Sequence, residues 1–598
     1  MKGILLKFAT LALCAALCIP GASAENNDRD MVQVGLAFGS SALSAAKLQN
    51  SDGFGAGYRF GYFDDDLEFE ELAYTDEDVN AITMLRTSQI YRSGSNYTTS
   101  KPNGTYDTIG CFHVVLNEFR TYEDALDLAD TYENGFVAWI NGTYQAREGT
   151  YATKEEAQNA AQSLGGVDVK GTSAFAVNVV ETGTSKILFQ FDGLDKLALG
   201  VMPDVTGEED VYTWFKGYQY RGGFRYERVS CEDLNVVNIV DVETYTKGVI
   251  PYEMTNSWPM EALKAQAVCA RSYAYNCMKE RSHASYNVDI CTTECCQVYR
   301  GVGSGNSNYQ ANERTDRAVE ESEGMYALYK GTPIVAYYSS SHGGASERID
   351  RVQNSSFSKY PYICGVIDPY EKGLNDRNPY SSWKKTYTAS ELTARLREKG
   401  YASGTSVDSI DLTYSEFGNV IKAKVNYTNG KSNTFTPRND WGVRSLFGVS
   451  SLHFTVNGKG GLVQEQGGIE QEGSAEKQPV LVNENQNLDM DSSLYVLSGK
   501  GQSARIDPKE IFVITGTGTV SRLIDEEEQK PSTVPSASET VVTVSGSKYI
   551  VEGAGNGHQM GMSQFGAYAM AEEGFDYDQI VEFYYPGVEV EPFSLYEE

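Results

Sequence analysis

Residues 241–275 constrain the fold more strongly than any other stretch of this chain. A β-branched run that starts at Val236 predicts a strand, which leads into a short Pro-Tyr-Glu-Met turn. A helical run follows from about Trp258, with Pro259 in its first turn, where the missing N–H costs nothing. The lone carboxylate of the turn, Glu253, is therefore expected just outside the positive end of a helix, whose field favours the anion.

Glu253 has two interpretations at this junction. A proton donor in this place has to be kept protonated by burial against Tyr252, Met254 or Trp258, which must outweigh the field of the helix. The alternative is an ordinary surface or helix-capping carboxylate. The turn by itself leaves both interpretations open.

The helix that follows carries two polar side chains of interest, Gln266 and Arg271. Because they are five positions apart, they point in well-separated directions, and at most one should reach the same pocket directly. Arg271 is equally compatible with a structural ion pair. Three small residues form a seam that suits close packing: Ala267, Ala270 and Ala274.

The N-terminus predicts export. Residues 1–24 combine Lys2 and Lys7 with an apolar run and a small-residue cleavage site, the features of a secretory signal peptide. No later apolar run reaches the roughly 20 residues needed to span a membrane. The mature protein is therefore expected to be secreted, extracellular or cell wall-associated, with no membrane span.

The formal net charge of −31 over 598 residues argues against nucleic acid as a partner, because phosphate would be repelled. It also disfavours attraction to anionic wall polymers, so binding to a glycan has to act locally, through hydrogen bonds and ring stacking. The 40 tyrosines suit stacking on sugars, although plain secreted domains share this composition. A chain of this length is expected to form two to four compact units.

Residues 108–183 form a block of their own. The pattern predicts a strand, a helix capped by Thr121, a strand pair turning at Asn141-Gly142, a helix opened by Thr153, and a final strand SAFAVNVVE. This β-α-β-β-α-β order is a split βαβ sandwich. The block resembles a SPOR-type peptidoglycan-binding domain, which implies affinity for glycan strands stripped of peptides. An unrelated small α+β module is the alternative.

The whole chain is predicted to be α+β, with strands dominating. Segments rich in Gly, Glu, Pro and Ser mark linkers on both sides of a small β unit. The expected divisions are a signal peptide (1–24), a β-rich N-terminal part (25–107), the split βαβ insertion (108–183), a strand-rich core with one central helix (186–455), a linker with a small β insertion (456–545) and a C-terminal part (546–598).

Eight of the ten cysteines lie beyond the signal peptide, and three of them crowd into residues 291–296. With His283 upstream, Cys291, Cys295 and Cys296 offer the thiolate and imidazole ligands of a tetrahedral zinc site. The spacing is not a CxxC pair. In an exported chain, one or two disulfides with a spare thiol are the alternative.

Two glycine-containing loops carry further polar side chains. In SSSHGG, Ser341 and His342 are neighbours on a strand and point to opposite faces, so a binding loop is expected rather than a nucleophilic dyad. The second loop, GAGNGHQMGMSQ, enters a helix at about Ser563 and offers His558 and Gln564. The alternative is a glycine-rich packing loop with one buried histidine.

Four phrases taken together resemble the SpoIID/LytB family (stage II sporulation protein D and the amidase enhancer LytB). They are YTKGVIPYEMTNSWPMEALKAQAVCARSYAY, DICTTECCQVYRG, AYYSSSHGG and GNGHQMGMSQFGAYAMAEEG…YYPGV. The resemblance covers the core of residues 186–590 and makes the SPOR-like block and the linkers insertions into a SpoIID-like catalytic domain. The chain departs from the family pattern at Cys295, where a histidine is common, and at Gln559, where a glycine is.

The resemblance implies roles for individual residues. Glu253 matches the catalytic acid, and Arg271 matches a helix arginine of the family. The residues implied to bind substrate are Gln266, Arg271, Tyr337, Ser339, His342, His558 and Gln564. The residues implied to hold one structural Zn2+, which the chemistry itself does not require, are His283, Cys291, Cys295 and Cys296.

The implied activity is that of a lytic transglycosylase, which cleaves MurNAc–GlcNAc bonds in peptidoglycan glycan strands that lack stem peptides, in cell-wall remodelling or sporulation. Glu253 would protonate the leaving oxygen and then, as a carboxylate, assist attack by the sugar's own hydroxyl. Two alternatives stay open: a non-catalytic, glycan-binding enhancer of a cell-wall amidase, and a wall-binding structural protein. The implied partners are glycan strands and an amidase or other wall hydrolases.

Overall fold

The computed structural model describes most of the chain, and the statements below refer to that part. The described residues are 31–51, 56–164, 168–204, 211–229, 232–293, 295–305, 309–439, 441–461 and 539–593, with four short strands between 494 and 522. The predicted signal peptide, residues 1–24, lies outside the described residues. Within them, no helix combines the length and the apolar character needed to cross a membrane.

Strands make up most of the regular structure. In chain order they are β1 (Met31–Ala37), β2 (Ala45–Asn50), β3 (Tyr58–Phe63), β4 (Phe69–Tyr74), β5 (Ala81–Arg86), β6 (Ile90–Ser93), β7 (Asn96–Thr98), β8 (Asp107–Ile109), β9 (Phe112–Phe119), β10 (Gly135–Ile140), β11 (Thr143–Tyr151), β12 (Asp168–Lys170), β13 (Val177–Glu181), β14 (Ile187–Asp192), β15 (Leu199–Pro203), β16 (Thr213–Phe215), β17 (Tyr218–Tyr220), β18 (Gly223–Glu227), β19 (Asn235–Asp241), β20 (Ile290–Cys291), β21 (Met325–Tyr329), β22 (Thr332–Pro333), β23 (Tyr338–Ser339), β24 (Trp383–Thr388), β25 (Val407–Tyr414), β26 (Val420–Tyr427), β27 (Ser432–Phe435), β28 (Phe454–Val456), β29 (Leu494–Leu497), β30 (Ser503–Ile506), β31 (Phe512–Ile514), β32 (Val520–Arg522), β33 (Thr540–Ser545), β34 (Lys548–Gly553), β35 (Met562–Ser563) and β36 (Glu589–Pro592).

Helices are fewer than strands. In the described part they are α1 (Tyr122–Ala129), α2 (Lys154–Leu164), α3 (Val242–Glu253), α4 (Met260–Glu280), α5 (Glu313–Glu320), α6 (Ile349–Val352), α7 (Ala389–Glu398), α8 (Val443–Phe447), α9 (Gln564–Glu573) and α10 (Tyr577–Tyr584). The predicted α+β class, with strands in the majority, is confirmed.

Two large sheets form the body of the protein. The first has seven strands in the order β20-β1-β19-β18-β15-β3-β4, and the second has ten in the order β12-β9-β11-β10-β14-β13-β5-β2-β16-β17. Strand β1 pairs antiparallel with β19, where Val32 faces Val240, and both side chains are buried. The predicted strand that starts near Val236 is therefore confirmed as β19.

The split βαβ unit forms one end of the ten-stranded sheet. Its four strands lie in the order β12-β9-β11-β10, every neighbouring pair is antiparallel, and helices α1 and α2 pack on them. Helix α1 is capped as predicted, because Thr121 accepts a hydrogen bond from the Asp124 N–H. The sheet does not stop at this unit, since β10 pairs in parallel with β14.

The prediction for the last strand of this unit is wrong. The edge position is taken by β12, whereas SAFAVNVVE contributes β13, which lies between β14 and β5 on the far side of the unit. The burial pattern gives the reason. Residues 177–180 of β13 are all buried, as in a central strand, while the short β12 is largely exposed, as an edge strand can be.

Helix α4 lies at the centre of the main core. It contacts α3, α5, α9 and α10, and 12 of its 21 residues are buried. The seam of Ala267, Ala270 and Ala274 is fully buried, as expected where helices approach closely. The predicted helix is confirmed, and Pro259 serves as its N-cap residue.

Helix α3 replaces most of the predicted turn. Asp241 caps it by accepting a hydrogen bond from the Thr244 N–H at 2.8 Å, so the helix begins directly where β19 ends. Pro251 lies inside its last turn, and a proline there makes the sequence resemble a turn rather than a helix. Glu253 is the final residue of α3, so its predicted place at the positive end of a helix is wrong.

A second unit with a core of its own is formed by residues 383–456 and 540–553. It contains the sheets β24-β34-β28 and β27-β26-β25-β33, and helices α7 and α8 belong to it. Between its two segments, β29 pairs with β30 and β31 with β32, which agrees with the predicted β phrases. The chain therefore leaves the buried main core after Ile363 and returns to it at Met560.

Candidate active site

Glu253 lies where α3, β23 and α9 converge. Gln564, the first residue of α9, donates a hydrogen bond from Nε2 to Glu253 Oε2 at 3.1 Å. The hydroxyl of Tyr338 on β23 also forms a hydrogen bond with Glu253. Strand β23 pairs in parallel with β35, with Tyr338 opposite Met562, which places this tyrosine beside the start of α9.

The electric field at Glu253 differs from the sequence-based expectation. A residue in the last turn of a helix faces the negative end of the helix dipole, which disfavours an ionised carboxylate. Glu253 occupies that place in α3 and is partly buried. The end of α3 therefore acts against the ionised form of Glu253, whereas the positive end of α9, whose first residue Gln564 contacts this carboxylate, acts in favour of that form.

Gln266 joins this group from α4. Its side chain is fully buried, and its Oε1 accepts a hydrogen bond from Gln564 Nε2 at 3.3 Å. Its own Nε2 has no hydrogen-bond partner among the residues that the structure describes. Because the side chain of Gln266 is closed off from the surface, it supports the position of Gln564 beside Glu253.

A chain of hydrogen bonds leads from Tyr338 into the core. Gln297 Nε2 donates to the Tyr338 hydroxyl oxygen at 2.9 Å, and the Tyr245 hydroxyl donates to Gln297 Oε1 at 2.8 Å. Burial, followed by the nearby charge of Glu253, raises the pKa of Tyr338 well above its usual range, so its hydroxyl keeps its proton. Sequence reasoning assigned no role to these three residues, although Gln297 and Tyr338 stand in two of the phrases that suggested the family.

A buried carboxylate, Glu371, fastens the SSSHGG loop. Its Oε2 accepts hydrogen bonds from Ser341 Oγ and from the Gly343 N–H, both at 2.8 Å, and its Oε1 accepts from the His342 N–H at 2.7 Å. Ser563 Oγ also donates to Oε1. Because Ser563 is the N-cap residue of α9, Glu371 ties this loop to the helix that begins with Gln564.

A second buried carboxylate, Asp368, lies next to this clamp. It accepts hydrogen bonds from the Tyr584 hydroxyl at 2.6 Å and from the Tyr370 N–H at 2.9 Å. Burial, with a further contribution from the negative charge of Glu371, raises the pKa of Asp368 to about 7. The Asp368 carboxyl therefore keeps its proton below neutral pH.

The two loop histidines have different surroundings. His342 is fully buried against Tyr584, and burial lowers its pKa to about 3. The loop uses its backbone N–H, and the closed-off ring contradicts the prediction that His342 contacts substrate. His558 is only partly buried by its neighbours, its ring lies 6.0 Å from that of Tyr337, and burial lowers its pKa to about 4.

Tyr337 and Ser339 flank Tyr338 on β23. Neighbours along an extended strand point to the face opposite the residue between them, so these two side chains are directed away from Glu253. Tyr337 packs against Tyr273 and His558, and Ser339 is buried with no partner for its Oγ in the described part. The structure therefore places both near the site without contact to its carboxylate.

Arg271 is separate from this group. Its guanidinium is fully buried and bidentate to Glu243, with Nε–Oε1 and Nη2–Oε2 distances of 2.7 and 2.6 Å, and Nη1 donates to the Met325 carbonyl at 2.9 Å. Five residues along α4 carry it away from Gln266, as the helical spacing requires. The structure therefore places Arg271 in a structural ion pair with Glu243, away from Glu253, and does not support its predicted contact with substrate.

Gln559 shows how a side chain replaces the expected glycine. Its φ of +64° lies in the left-handed region that favours glycine. Its buried amide offsets this strain by bridging two segments, since Nε2 donates to the His342 carbonyl at 2.8 Å and Oε1 accepts from the Leu452 N–H at 2.9 Å. The loop is therefore kept, with an added link to the second unit.

The predicted metal ligands converge at the other end of this region. One ligand atom from each residue lies within 4.8 Å of all the others, and the group is His283, Cys291, Cys295 and Cys296. In a tetrahedral site with Zn–S bonds of about 2.3 Å, ligand sulfurs lie about 3.8 Å apart. A small contraction would make this donor set fit zinc.

The thiols of this cluster are in contact with one another. Contact with Cys296 raises the pKa of Cys291 to about 12, and contact with Cys277 raises the pKa of Cys296 to about 12. Such thiols keep their protons at neutral pH until a cation displaces them. The seven cysteines that the structure describes are free thiols, so the disulfide alternative is not realised among them.

Comparison with known proteins places the central region in a family. The family model described as "Stage II sporulation protein" (SpoIID) matches residues 230–329. An uncharacterized protein of Brachyspira hyodysenteriae is 28% identical over 401 residues, which are 67% of this chain and 79% of that protein.

Two relatives from Bacillus subtilis have informative names. The "Amidase enhancer" is 29% identical over 349 residues, 57% of this chain and 39% of that protein. "Stage II sporulation protein D" is 29% identical over 170 residues, 27% of this chain and 48% of that protein. The chain thus spans less than half the length of each of these two relatives.

Proposed function

Because the chain belongs to the SpoIID/LytB family, we propose that it is a lytic transglycosylase of the cell wall. Its substrate is peptidoglycan glycan strands that lack stem peptides, and the bond broken is that between MurNAc and GlcNAc. The proposal places the protein outside the cell or in the wall, in cell-wall remodelling or sporulation. Its main support is the single partly buried carboxylate, Glu253, surrounded by the amides of Gln266 and Gln564 and the hydroxyl of Tyr338.

The chemistry needs one carboxyl group in two protonation states. Glu253 donates its proton to the glycosidic oxygen as the C–O bond breaks, which releases the GlcNAc hydroxyl. The resulting carboxylate then takes the proton from the C6 hydroxyl of the MurNAc residue as that oxygen bonds to C1, and this closes a 1,6-anhydro ring. No water is consumed, so the second carboxylate of an ordinary glycosidase is unnecessary.

The surrounding groups suit this cycle. The end of α3 favours the acid form, and the donors Gln564 and Tyr338 stabilise the carboxylate once it forms. A group that both gives and takes a proton needs both kinds of influence.

A product assay tests this proposal. Purified protein is incubated with peptide-free glycan strands, and the fragments are examined by mass spectrometry for anhydro ends. Glu253→Gln should abolish these products while it retains glycan binding, because the amide keeps the shape but cannot donate the proton. Glu280→Gln, at the exposed end of α4, is the matched control and should be fully active. Anhydro products from the Glu253→Gln protein would refute the mechanism.

A non-catalytic role is the second candidate, and the name of the amidase-enhancer relative favours it. In that role the same cleft binds a glycan strand and presents the wall to an amidase. The protein alone then yields no fragments, whereas its addition to a cell-wall amidase accelerates release of stem peptides. Glu253→Gln would keep this enhancement in full, which distinguishes the two roles.

We also propose that one structural Zn2+ is held by His283, Cys291, Cys295 and Cys296, since their donor atoms fit. A bound zinc ion would cross-link the loop after β20 to the segment that follows α4. Elemental analysis of the purified protein should give about one zinc per chain. Metal-free protein with the cluster thiols paired in disulfides would overturn this assignment.

A further inference from the structure

The chain Tyr245–Gln297–Tyr338 sets the direction of a single proton. A primary amide has a donor at one end and an acceptor at the other, so its two contacts cannot have the same polarity. In the structure the acceptor end of Gln297 takes the Tyr245 proton, and the donor end points at the Tyr338 oxygen. Tyr338 must then use its own proton elsewhere, and its remaining contact is Glu253.

The reverse orientation of the amide has the opposite effect. If Oε1 faced Tyr338, this hydroxyl would donate to Gln297 and could offer Glu253 only an acceptor. Glu253 would lose a donor to its ionised form. The orientation of one buried amide, 3% exposed, therefore decides whether the catalytic-site carboxylate receives this hydrogen bond.

The far end of the chain is rigidly held. The ring of Tyr245 is fully buried and stacked on Tyr299, with centroids 5.0 Å apart and an interplanar angle of 17°. The Tyr299 hydroxyl donates to Asn238 Oδ1 at 2.7 Å, and the Asn238 amide donates to the carbonyls of Arg221 and Gly223. Tyr245 thus presents its hydroxyl at a fixed point, where it meets the acceptor end of Gln297.

We propose that Gln297 is a positioning residue for Glu253: its amide holds the Tyr338 hydroxyl so that the tyrosine proton is directed at the Glu253 carboxylate. This inference rests on the proposed function, in which Glu253 alternates between acid and carboxylate. Gln297, which follows Cys296, would thus act in the reaction without contacting the substrate. It also gives the cluster loop, 291–296, a route by which its shape affects the catalytic carboxylate.

Other titratable groups lie near this chain of hydrogen bonds, and Tyr245 faces the thiols of Cys277 and Cys296. Tyr252 precedes Glu253 on α3, its ring packs at 6.3 Å from that of Tyr218 on β17, and the guanidinium of Arg300 lies over the Tyr218 ring. None of these takes part in the Tyr245–Gln297–Tyr338 chain as the structure describes it. Substitutions in the chain therefore change the donor to Glu253 while these groups stay in place.

The pH dependence of product formation tests the inference. Activity falls on the alkaline side as the acid loses its proton, and loss of a donor to the carboxylate raises the pKa of that acid. Tyr338→Phe removes the donor, and Gln297→Glu turns the Tyr338 proton toward the new carboxylate. In each variant the pH at which activity falls on the alkaline side of the profile (the alkaline limb) should rise by roughly one unit. The effect should be on kcat, with KM unchanged.

Gln297→Met separates positioning from packing. It keeps the volume of the side chain but has no strong donor or acceptor, so it should lower kcat with a smaller limb shift than Gln297→Glu. In the Tyr338→Phe background, Gln297→Glu should add little to the limb shift, because Gln297 acts through the Tyr338 hydroxyl. Zinc content and thermal unfolding are measured for every variant, so that damage to the neighbouring cluster is recognised.

The outcomes are distinct. An alkaline limb that stays at its wild-type position in both Gln297→Glu and Tyr338→Phe, with equal losses at every pH, overturns the inference and leaves Gln297 a packing residue. An additive shift in the double variant also overturns it. Glu253→Gln that still forms anhydro products overturns the proposed function instead. If Glu253→Gln is inactive and the alkaline limb is unshifted in the Gln297 and Tyr338 variants, only the role proposed for Gln297 is refuted.

Discussion

Glu371→Gln tests how the SSSHGG loop is held against α9. Each oxygen of the Glu371 carboxylate accepts one backbone N–H and one serine hydroxyl. In the variant, one oxygen becomes an NH2 group. The serine hydroxyl beside it can turn and accept, but the backbone N–H of His342 or of Gly343 cannot. Whichever way the amide is placed, one buried N–H loses its partner.

The expected cost follows from these contacts. An orphaned buried N–H costs about 1–3 kcal/mol, and the remaining bonds weaken because their acceptor is no longer charged. A total near 3 kcal/mol corresponds to about a hundredfold increase in opening of the loop. Removal of the negative charge also relieves Asp368, whose pKa is about 7. The measurement belongs at pH 6, where Asp368 keeps its proton and this relief is small.

Hydrogen–deuterium exchange of peptides that cover residues 338–345 reports this opening directly. The amides of the loop should exchange about a hundredfold faster in Glu371→Gln than in wild type. Glu77→Gln, the same substitution at an exposed turn, serves as the matched control and should leave the loop unchanged. Loop protection within about threefold of wild type, with the rest of the protein intact, would refute the assignment of Glu371 as the clamp.

Three further results are expected. Arg271→Lys should lower the free energy of unfolding by about 2–4 kcal/mol, because lysine cannot reproduce the bidentate pair with Glu243. If the melting temperature is unchanged and glycan binding is lost, Arg271 contacts the substrate instead. Cys291→Ser should lose the zinc found by elemental analysis, and full metal content in that variant would exclude Cys291 as a ligand. Asp368 keeps its proton up to about pH 7 when folded but loses it near 3.8 when unfolded, so wild-type stability should fall over this range. Asp368→Asn should therefore gain stability relative to wild type as the pH rises, and parallel curves for the two proteins would contradict the assignment.

The sequence predicted those elements whose signals are local. Strand β19, helix α4 and both helices of the split βαβ unit follow from periodicity and caps such as Thr121. Helix α3 was missed because Pro251 in its last turn outweighed the cap at Asp241. That one error inverted the electrostatic argument for Glu253, since it exchanged the positive end of one helix for the negative end of another.

The contacts of the candidate site were less accessible to such reasoning. The cluster of His283 and three cysteines could be predicted because its ligands lie within 14 consecutive residues and share one chemistry. Gln297 and Tyr338 carry no such signal, because a glutamine and a tyrosine acquire a role only when folding makes them neighbours. For His342, the type of residue suggested chemistry, whereas burial shows that the loop uses its backbone N–H.

The span between Glu253 and Gln564 has a consequence for the order in which the protein matures. These residues are 311 positions apart, and the whole second unit is made between them. A chain that emerges from its N-terminus first can fold α3 and α4 long before α9 exists. The carboxylate then lacks its amide partner until the C-terminal segment docks, so the contacts of Glu253 are completed only late in folding.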